Sequence, residues 1–262
     1  MEVTVQGQSV HAATGGRAWN EDEPAVILVH GAGLDRTIWQ LQTRNIAYMR
    51  RRAIAVDLPG HGRSGGALLS SIEDIADWIP EFMDAAGIKT AKLIGHSMGA
   101  LVTLEAAARH PSRFEKLCLM GVSEMMPVHP DLLEAAEKNQ PLAPELIVYW
   151  GLGEKAKIGG HPHPGLWVHN ASQTLLELSG DGVLFNDLSA CNAYKGALEA
   201  ASKVKCETLF VLGKDDMMTP ARKARSLADA IENSKTVRIE RCGHMMMSER
   251  PNQVYDALKT FV

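Results

Sequence analysis

Short runs of apolar residues recur along most of the chain and alternate with segments of helical periodicity. Five runs have little polar alternation, which is typical of strands buried on both faces of a parallel sheet. They span residues 25–30, 52–57, 91–96, 114–121 and 207–213. A shorter strand is predicted at 236–239, and weaker patterns at 3–5 and 10–12 predict an opening hairpin. This alternation predicts an α/β fold with a mostly parallel central sheet flanked by helices.

Three segments between or after these runs have the apolar spacing of helices. Ser71 and Asp74 form a capping-box pattern at the start of the first, and Pro80 predicts a kink within it. The second helix is predicted over residues 97–110, ending before Pro111, and the third over 251–262. Helices therefore follow strands, as a parallel sheet requires.

Residues 123–203, which we name the cap segment, interrupt this alternation. They contain short helical patterns separated by Pro and Gly, without a run typical of a buried strand. A helical excursion between two strands of a sheet is expected to lie over the sheet as a lid. We therefore predict a core domain made of residues 1–122 and 204–262, and a helical cap domain made of residues 123–203.

Composition narrows the class of protein. The 262 residues are 45% hydrophobic and 22% charged, as in ordinary globular proteins. A net charge of -4 without a basic run argues against a nucleic-acid partner. The apolar runs are too short to span a membrane, and the first residues do not resemble a signal peptide. Four cysteines without CxxC spacing favour reduced thiols and a cytoplasmic location. The pattern carries no signal for an oligomeric state.

The strongest chemical motif is Gly95-His96-Ser97-Met98-Gly99, which matches G-x-S-x-G. It lies between a predicted buried strand and a predicted helix, where a sharp turn lifts a serine hydroxyl above the sheet. Glycine is needed on both sides because a side chain there would collide with the neighbouring backbone. The pattern predicts that Ser97 is a nucleophile.

A serine nucleophile needs a base and an orienting carboxylate. His244 follows the predicted strand at 236–239, and Asp216 follows the strand at 207–213, so both lie in loops at strand ends. Asp215 is the second choice for the acid because it can also cap a helix ahead of Pro220. Glu124, which follows the strand at 114–121, is the third.

The order Ser97, Asp216, His244 resembles that of α/β hydrolases with a helical cap domain. His30-Gly31-Ala32-Gly33 resembles the HG-x-G loop of this family, and residues 57–64 (DLPGHGRS) are similar to its turn after the next strand. The resemblance extends over residues 20–121 and 205–262. It implies the α/β-hydrolase fold, with substrate choice residing in the cap segment.

The resemblance also implies further roles. The backbone N–H groups of Ala32 and Met98 are expected to form an oxyanion hole for the tetrahedral intermediate. His61 and Ser64, in the turn at 57–64, are expected to be architectural. His96, beside the nucleophile, is expected to pack or to form local hydrogen bonds.

We therefore expect a serine carboxylesterase without cofactor, acting on small-molecule esters of short to medium acyl chains, with broad range. A carbon–carbon hydrolase of ring-cleavage products is the first alternative. Such enzymes usually carry Asn before the serine, Arg in the cap and Trp after the histidine. This chain has His96 and Met245 at two of these positions, and no arginine between Phe114 and Ala221. Lactonase or perhydrolase activity on the same triad, and a slow-turnover ligand sensor, are the others.

The substrate pocket is expected to be apolar and deformable. Methionines follow both proposed triad partners, and thioethers adapt to varied shapes. We predict that Met217, Met245 and Trp150 bind substrate, and that replacing Met246 and Met247 by valine narrows the substrate range.

Histidines of the cap segment raise the question of a metal. His161, His163 and His169 lie close together, but Asp, Glu and Cys are missing nearby. Triad hydrolysis needs no metal, so none is expected.

Overall fold

The computed structural model describes residues 1–162 and 165–262, and these form one eight-stranded sheet. Its strands are β1 (Glu2–Val5), β2 (Gln8–Ala13), β3 (Ala25–Val29), β4 (Arg52–Val56), β5 (Ala91–His96), β6 (Phe114–Met120), β7 (Glu207–Gly213) and β8 (Ser234–Ile239). The order across the sheet is β1-β2-β4-β3-β5-β6-β7-β8. β2 pairs antiparallel with β1 and β4, and the other neighbours are parallel. The predicted α/β fold is therefore confirmed.

The described helices are α1 (Gln40–Tyr48), α2 (Ile72–Ala85), α3 (Met98–Arg109), α4 (Pro130–Glu137), α5 (Leu142–Gly151), α6 (Glu154–Lys157), α7 (Val168–Glu177), α8 (Val183–Ala193), α9 (Ala197–Lys203), α10 (Arg225–Ala230), α11 (Met246–Glu249) and α12 (Pro251–Lys259). The Ser71 side chain accepts a hydrogen bond from the Asp74 N–H (3.0 Å), so the predicted cap of α2 is present. This helix continues past Pro80 to Ala85. No described helix is long and apolar enough to cross a bilayer.

The sheet is covered on both faces, which explains its continuous apolar strands. Ile27 and Val29 of β3 lie in one buried cluster with side chains of α2 and α3. Val26 and Leu28 point to the opposite face, into a second cluster with side chains of α1, α12 and the cap segment. Successive strand residues point to opposite faces, so both must be apolar here.

The cap segment forms helices α4 to α9 between β6 and β7. α7 and α8 approach the loop after β3 so closely that a Cβ added to Gly33 would lie 2.7 Å from Leu184 and 3.2 Å from Leu176. α9 packs against α3, with Ala197 and Ala201 in the cluster that contains α3. The division into domains at residues 123 and 203 stays a prediction.

The register of the parallel strands places several loops at one edge of the sheet. Val29 pairs with Gly95, and His96 with Met120. Gly213 pairs with Ile239. The loops that follow β3, β5, β6, β7 and β8 therefore emerge side by side, at the edge where open α/β sheets bind ligands.

Candidate active site

The turn that carries Ser97 is strained and tightly packed. Ser97 has φ 55° and ψ -118°, in a region that non-glycine residues rarely occupy. A Cβ at Gly95 would lie 2.1 Å from the Gly99 oxygen, and one at Gly99 would lie 2.4 Å from the His30 oxygen. Only glycine fits at these two positions. The turn is held by a hydrogen bond from the Ser97 N–H to the Met120 oxygen (2.9 Å).

The Asp216 carboxylate receives the His244 ring. His244 is buried, and its Nδ1–H donates to Asp216 Oδ2 (2.8 Å). This bond assigns the proton of a neutral imidazole to Nδ1, which leaves Nε2 as the acceptor. The buried Nε2 has no hydrogen-bond partner among the described residues. Nε2 is thus available to a hydroxyl proton, and His244 and Ser97 line the same cavity.

The surroundings of Asp216 favour its charged form. Its Oδ1 accepts from the N–H groups of Met218 (2.9 Å) and Thr219 (2.8 Å), and its Oδ2 also accepts from the Thr219 hydroxyl (2.8 Å). Burial opposes ionisation, but the charge and hydrogen bond of His244, followed by the Thr219 bonds, outweigh it and lower the pKa of Asp216. Asp216 is therefore a carboxylate that can stabilise a protonated imidazole.

The other two candidate carboxylates lie elsewhere. Asp215 is exposed, and its backbone N–H donates to the Cys242 oxygen (2.8 Å). Glu124 accepts a hydrogen bond from the Ser226 hydroxyl (2.6 Å). The structure brings Asp216, the first choice from the sequence, to the imidazole.

The two predicted oxyanion-hole residues lie on either side of Ser97. Met98 is the first residue of α3, so its N–H has no acceptor within the helix. Ala32 lines the same cavity as Ser97. The loop before it approaches the nucleophile closely, since a Cβ at Gly31 would lie 3.1 Å from the Ser97 Cβ. Their role as donors to an oxyanion stays a prediction.

Two buried histidines support these loops in the neutral form. His30 Nδ1–H donates to the Gly31 oxygen (2.9 Å), and its Nε2 accepts from the Leu58 N–H (3.2 Å). Burial and the neighbouring His61 lower the pKa of His30 to about 4. His96 Nε2–H donates to the His244 oxygen (2.9 Å), and burial followed by the nearby His244 lowers the pKa of His96 to about 3. Each therefore has a local structural contact.

A cavity of about 300 Å³ opens above Ser97 between the sheet edge and the cap segment. Its described lining is mostly apolar and consists of Gly31, Ala32, Leu34, His96, Ser97, Met126, Pro127, Val128, His129, Leu132, Ile147, Trp150, Leu188, Cys191, Met217, Met218, Thr219, His244 and Met245. The predicted substrate contacts Trp150, Met217 and Met245 are among these residues. Whether they bind substrate stays a prediction.

The expectation for the methionines that follow Met245 is wrong in one respect. Met246 and Met247 are fully buried in the second core cluster and are absent from the cavity lining. They begin α11, whose helical turn directs them away from the cavity and towards the sheet. Valine at these positions is therefore expected to change packing and stability, not substrate range.

Three buried polar residues near the site were missed from the sequence: Thr219, Glu249 and Asp187. Glu249 Oε2 accepts from the N–H groups of Gly243 (3.1 Å) and Gly153 (3.0 Å), and so joins the His244 loop to the cap segment. Burial raises the pKa of Glu249. Thr219 could have been found from its position three residues after the proposed acid. No local signal marks Glu249 or Asp187, since their partners are distant in the chain.

The histidines weighed as metal ligands do not assemble among the described residues. His161 Nε2–H donates to the Ser248 oxygen (2.7 Å), and His169 stacks against Trp167. His163 lies outside the described residues. Within the described ranges, no group of three or more His, Cys, Asp or Glu side chains could hold a metal ion.

Comparison with known proteins agrees with this architecture. A (E)-2-((N-methylformamido)methylene)succinate hydrolase from Acinetobacter baylyi is 24% identical over 251 residues, which cover 92% of this chain and 91% of that protein. A pimeloyl-[acyl-carrier protein] methyl ester esterase from Neisseria meningitidis is 31% identical over 239 residues, which cover 84% of this chain and 86% of the relative. The structure of the enol-lactonase from Burkholderia xenovorans LB400 superimposes with a TM-score of 0.89 at 21% identity, covering 100% and 99% of the two chains.

A family model gives the most extensive match. The model of the alpha/beta hydrolase family matches residues 26–257, which include all strands from β4 to β8 and nearly all of β3. The strand order and the strained turn at Ser97 agree with that match. This protein therefore belongs to the α/β hydrolase family.

Proposed function

We propose that this hydrolase cleaves carboxylic esters through an acyl-enzyme on Ser97. The observation that carries the proposal is the buried His244 ring, fixed by Asp216 through Nδ1 and open at Nε2, in the same cavity as Ser97. A serine hydroxyl becomes nucleophilic only when a positioned base removes its proton. The family relationship to a methyl ester esterase supports an ester as the substrate.

The reaction follows from these positions. His244 Nε2 takes the hydroxyl proton as Ser97 Oγ attacks the ester carbonyl carbon, and the carbonyl oxygen becomes an oxyanion. The N–H groups of Ala32 and Met98 donate to that oxygen, while Asp216 stabilises the imidazolium. The C–O bond then breaks, and His244 returns the proton to the leaving alcohol. Water repeats the sequence on the acyl-enzyme and releases the carboxylic acid.

The cavity favours an uncharged acyl group of short to medium length. Its volume, about 300 Å³, is at the lower end of the range for small-molecule sites. None of its described lining residues is Lys, Arg, Asp or Glu. Burying a carboxylate without a cationic partner costs several kcal/mol, so a dicarboxylic substrate such as the succinate named for the Acinetobacter relative is disfavoured here.

Steady-state hydrolysis of p-nitrophenyl esters from acetate to dodecanoate tests the activity. We expect repeated turnover on short and medium chains, abolished by Ser97→Ala and reduced about 10⁴-fold by Asp216→Asn. The matched control is Asp215→Asn, a neighbouring carboxylate that does not reach the imidazole, with turnover within twofold of wild type. A single burst without turnover would contradict the proposal and favour a ligand sensor.

The charge preference has its own test. The p-nitrophenyl esters of butyrate and hemisuccinate have four-carbon acyl groups of nearly equal size and differ in a terminal carboxylate. We expect kcat/KM to be at least about tenfold lower for the hemisuccinate ester, since a tenfold ratio corresponds to about 1.4 kcal/mol. Equal values would refute an uncharged acyl preference.

A further inference from the structure

A buried carboxylate of the cap segment contacts the loop that carries Ala32. Asp187, on α8, is completely buried. Its Oδ2 accepts from the Gly33 N–H (2.9 Å) and from His61 Nε2–H (2.9 Å), while its Oδ1 accepts from the Asn186 amide (3.2 Å). These partners lie 154 and 126 residues away in the chain, on the other side of the cavity's entrance loops. Asp187 thus connects the cap segment to the core beside the nucleophile.

The geometry of His61 shows that this contact is an ion pair. Both ring nitrogens face oxygen acceptors, since Nδ1 lies 2.9 Å from the Pro59 carbonyl and Nε2 lies 2.9 Å from the Asp187 carboxylate. A ring that donates from both nitrogens is an imidazolium. The adjacent His30 ring, 4.9 Å away, is neutral and adds no charge. Burial opposes the charge, but Asp187 outweighs it and raises the pKa of His61.

The bonds made by Asp187 and His30 hold both ends of the loop. His30 Nδ1–H binds the Gly31 oxygen, and Asp187 binds the Gly33 N–H. Gly33 has φ +65°, and the methyl groups of Leu184 lie against it. With the flanking groups occupied in this way, the Ala32 N–H is the loop's donor at the cavity. The orientation of that N–H therefore depends on a side chain of the cap segment.

We propose that Asp187 is a positioning residue for the oxyanion hole, which it completes by holding the Gly33 N–H when α8 is docked on the core. The proposal rests on the proposed function, in which Ala32 donates to the oxyanion. Docking of the cap over the substrate and alignment of the Ala32 donor are then one event. Complete loss of one oxyanion donor lowers kcat by roughly 10²–10³-fold. Misalignment is expected to produce a smaller effect of the same kind.

The test compares Asp187→Ala with Asp187→Asn. We expect Asp187→Ala to lower kcat for p-nitrophenyl butyrate, expressed per titrated active site, by about 10- to 100-fold, with KM changed less than about threefold. The affinity for an alkyl trifluoromethyl ketone, which forms a tetrahedral adduct on Ser97, should fall by the same factor. Asp187→Asn keeps an oxygen acceptor for Gly33, so we expect it to restore kcat to within about fivefold of wild type.

A matched control removes a different contact between the cap segment and the core. Tyr194, just after α8, donates its hydroxyl to Glu105 on α3 (2.5 Å), away from the loop at Gly33. Tyr194→Phe is expected to lower the melting temperature without changing kcat per titrated site. A general effect of cap loosening would instead lower kcat in both variants. That result would overturn the proposal, as would wild-type kcat in Asp187→Ala.

The ketone also separates this proposal from the proposed function. Its binding is followed by ¹⁹F NMR and requires no ester turnover. If wild type forms the adduct but hydrolyses no ester, the proposed function fails, and the affinity ratio between wild type and Asp187→Ala still decides the role of Asp187. If wild type forms no adduct, the oxyanion hole itself is refuted. Should Asp187→Ala not fold, Asp187→Ser, whose hydroxyl is too short to reach Gly33, replaces it with the same expected loss.

Discussion

Replacing Gly121 by alanine tests how closely the His244 ring is positioned. Gly121 follows β6 and has φ +59°. A Cβ at this position would lie 3.1 Å from both Cε1 and Nδ1 of the His244 ring. The opposite constraint on the ring is its hydrogen bond to Asp216 (2.8 Å). An added methyl group therefore pushes the imidazole against the contact that orients it.

The magnitude follows from two effects. An alanine in the left-handed region costs about 1–2 kcal/mol of folding free energy. In addition, the ring must shift by about a third of an ångström to restore an ordinary contact. A misplacement of about 1 Å in catalytic geometry costs about 10²-fold in rate, so this shift corresponds to a roughly fivefold lower kcat.

The assay measures kcat for p-nitrophenyl butyrate per titrated active site, together with urea unfolding. Gly87→Ala is the matched control, because Gly87 has φ +67° and no atom within 4 Å of an added Cβ. We expect both variants to lose about 1–2 kcal/mol of stability, and Gly121→Ala alone to lose about fivefold in kcat. Wild-type kcat in Gly121→Ala, or an equal loss of kcat in Gly87→Ala, would refute the reasoning.

Three further predictions concern packing and protonation. Met217→Val should change the relative rates across acyl-chain lengths, whereas Met246→Val should leave that profile unchanged and lower stability by about 1 kcal/mol in urea unfolding. Glu249→Ala should lower the free energy of unfolding by about 2–4 kcal/mol because two buried N–H groups lose their acceptor, and Glu249→Gln should restore most of it. The pKa values of His30 and His96 are lowered in the folded protein to about 4 and about 3. The unfolded chain therefore binds protons that the folded chain does not as pH falls below about 6.5, so the urea midpoint should fall between pH 7 and pH 4; a constant midpoint would contradict these values.

Much of the architecture could be predicted from the sequence because its signals are local. Continuous apolar runs identified the strands, since a parallel strand covered on both faces has no polar side. Ser97, Asp216 and His244 each follow such a run, and parallel strands end at one edge of their sheet. Chain order and strand position were therefore enough to predict that these three residues lie together, while their catalytic roles await the experiments above.

Only the tertiary structure decided which residues support the site from a distance. Asp187 lies in a helical segment with no motif, and its contacts with Gly33 and His61 depend on how α8 docks on the core. The same holds for the methionines, because one turn of helix separates Met245 in the cavity from Met246 in the core. A sequence pattern reports periodicity within one element. Contacts between elements depend on the rotation and docking of each, which are set by the packing of the whole chain.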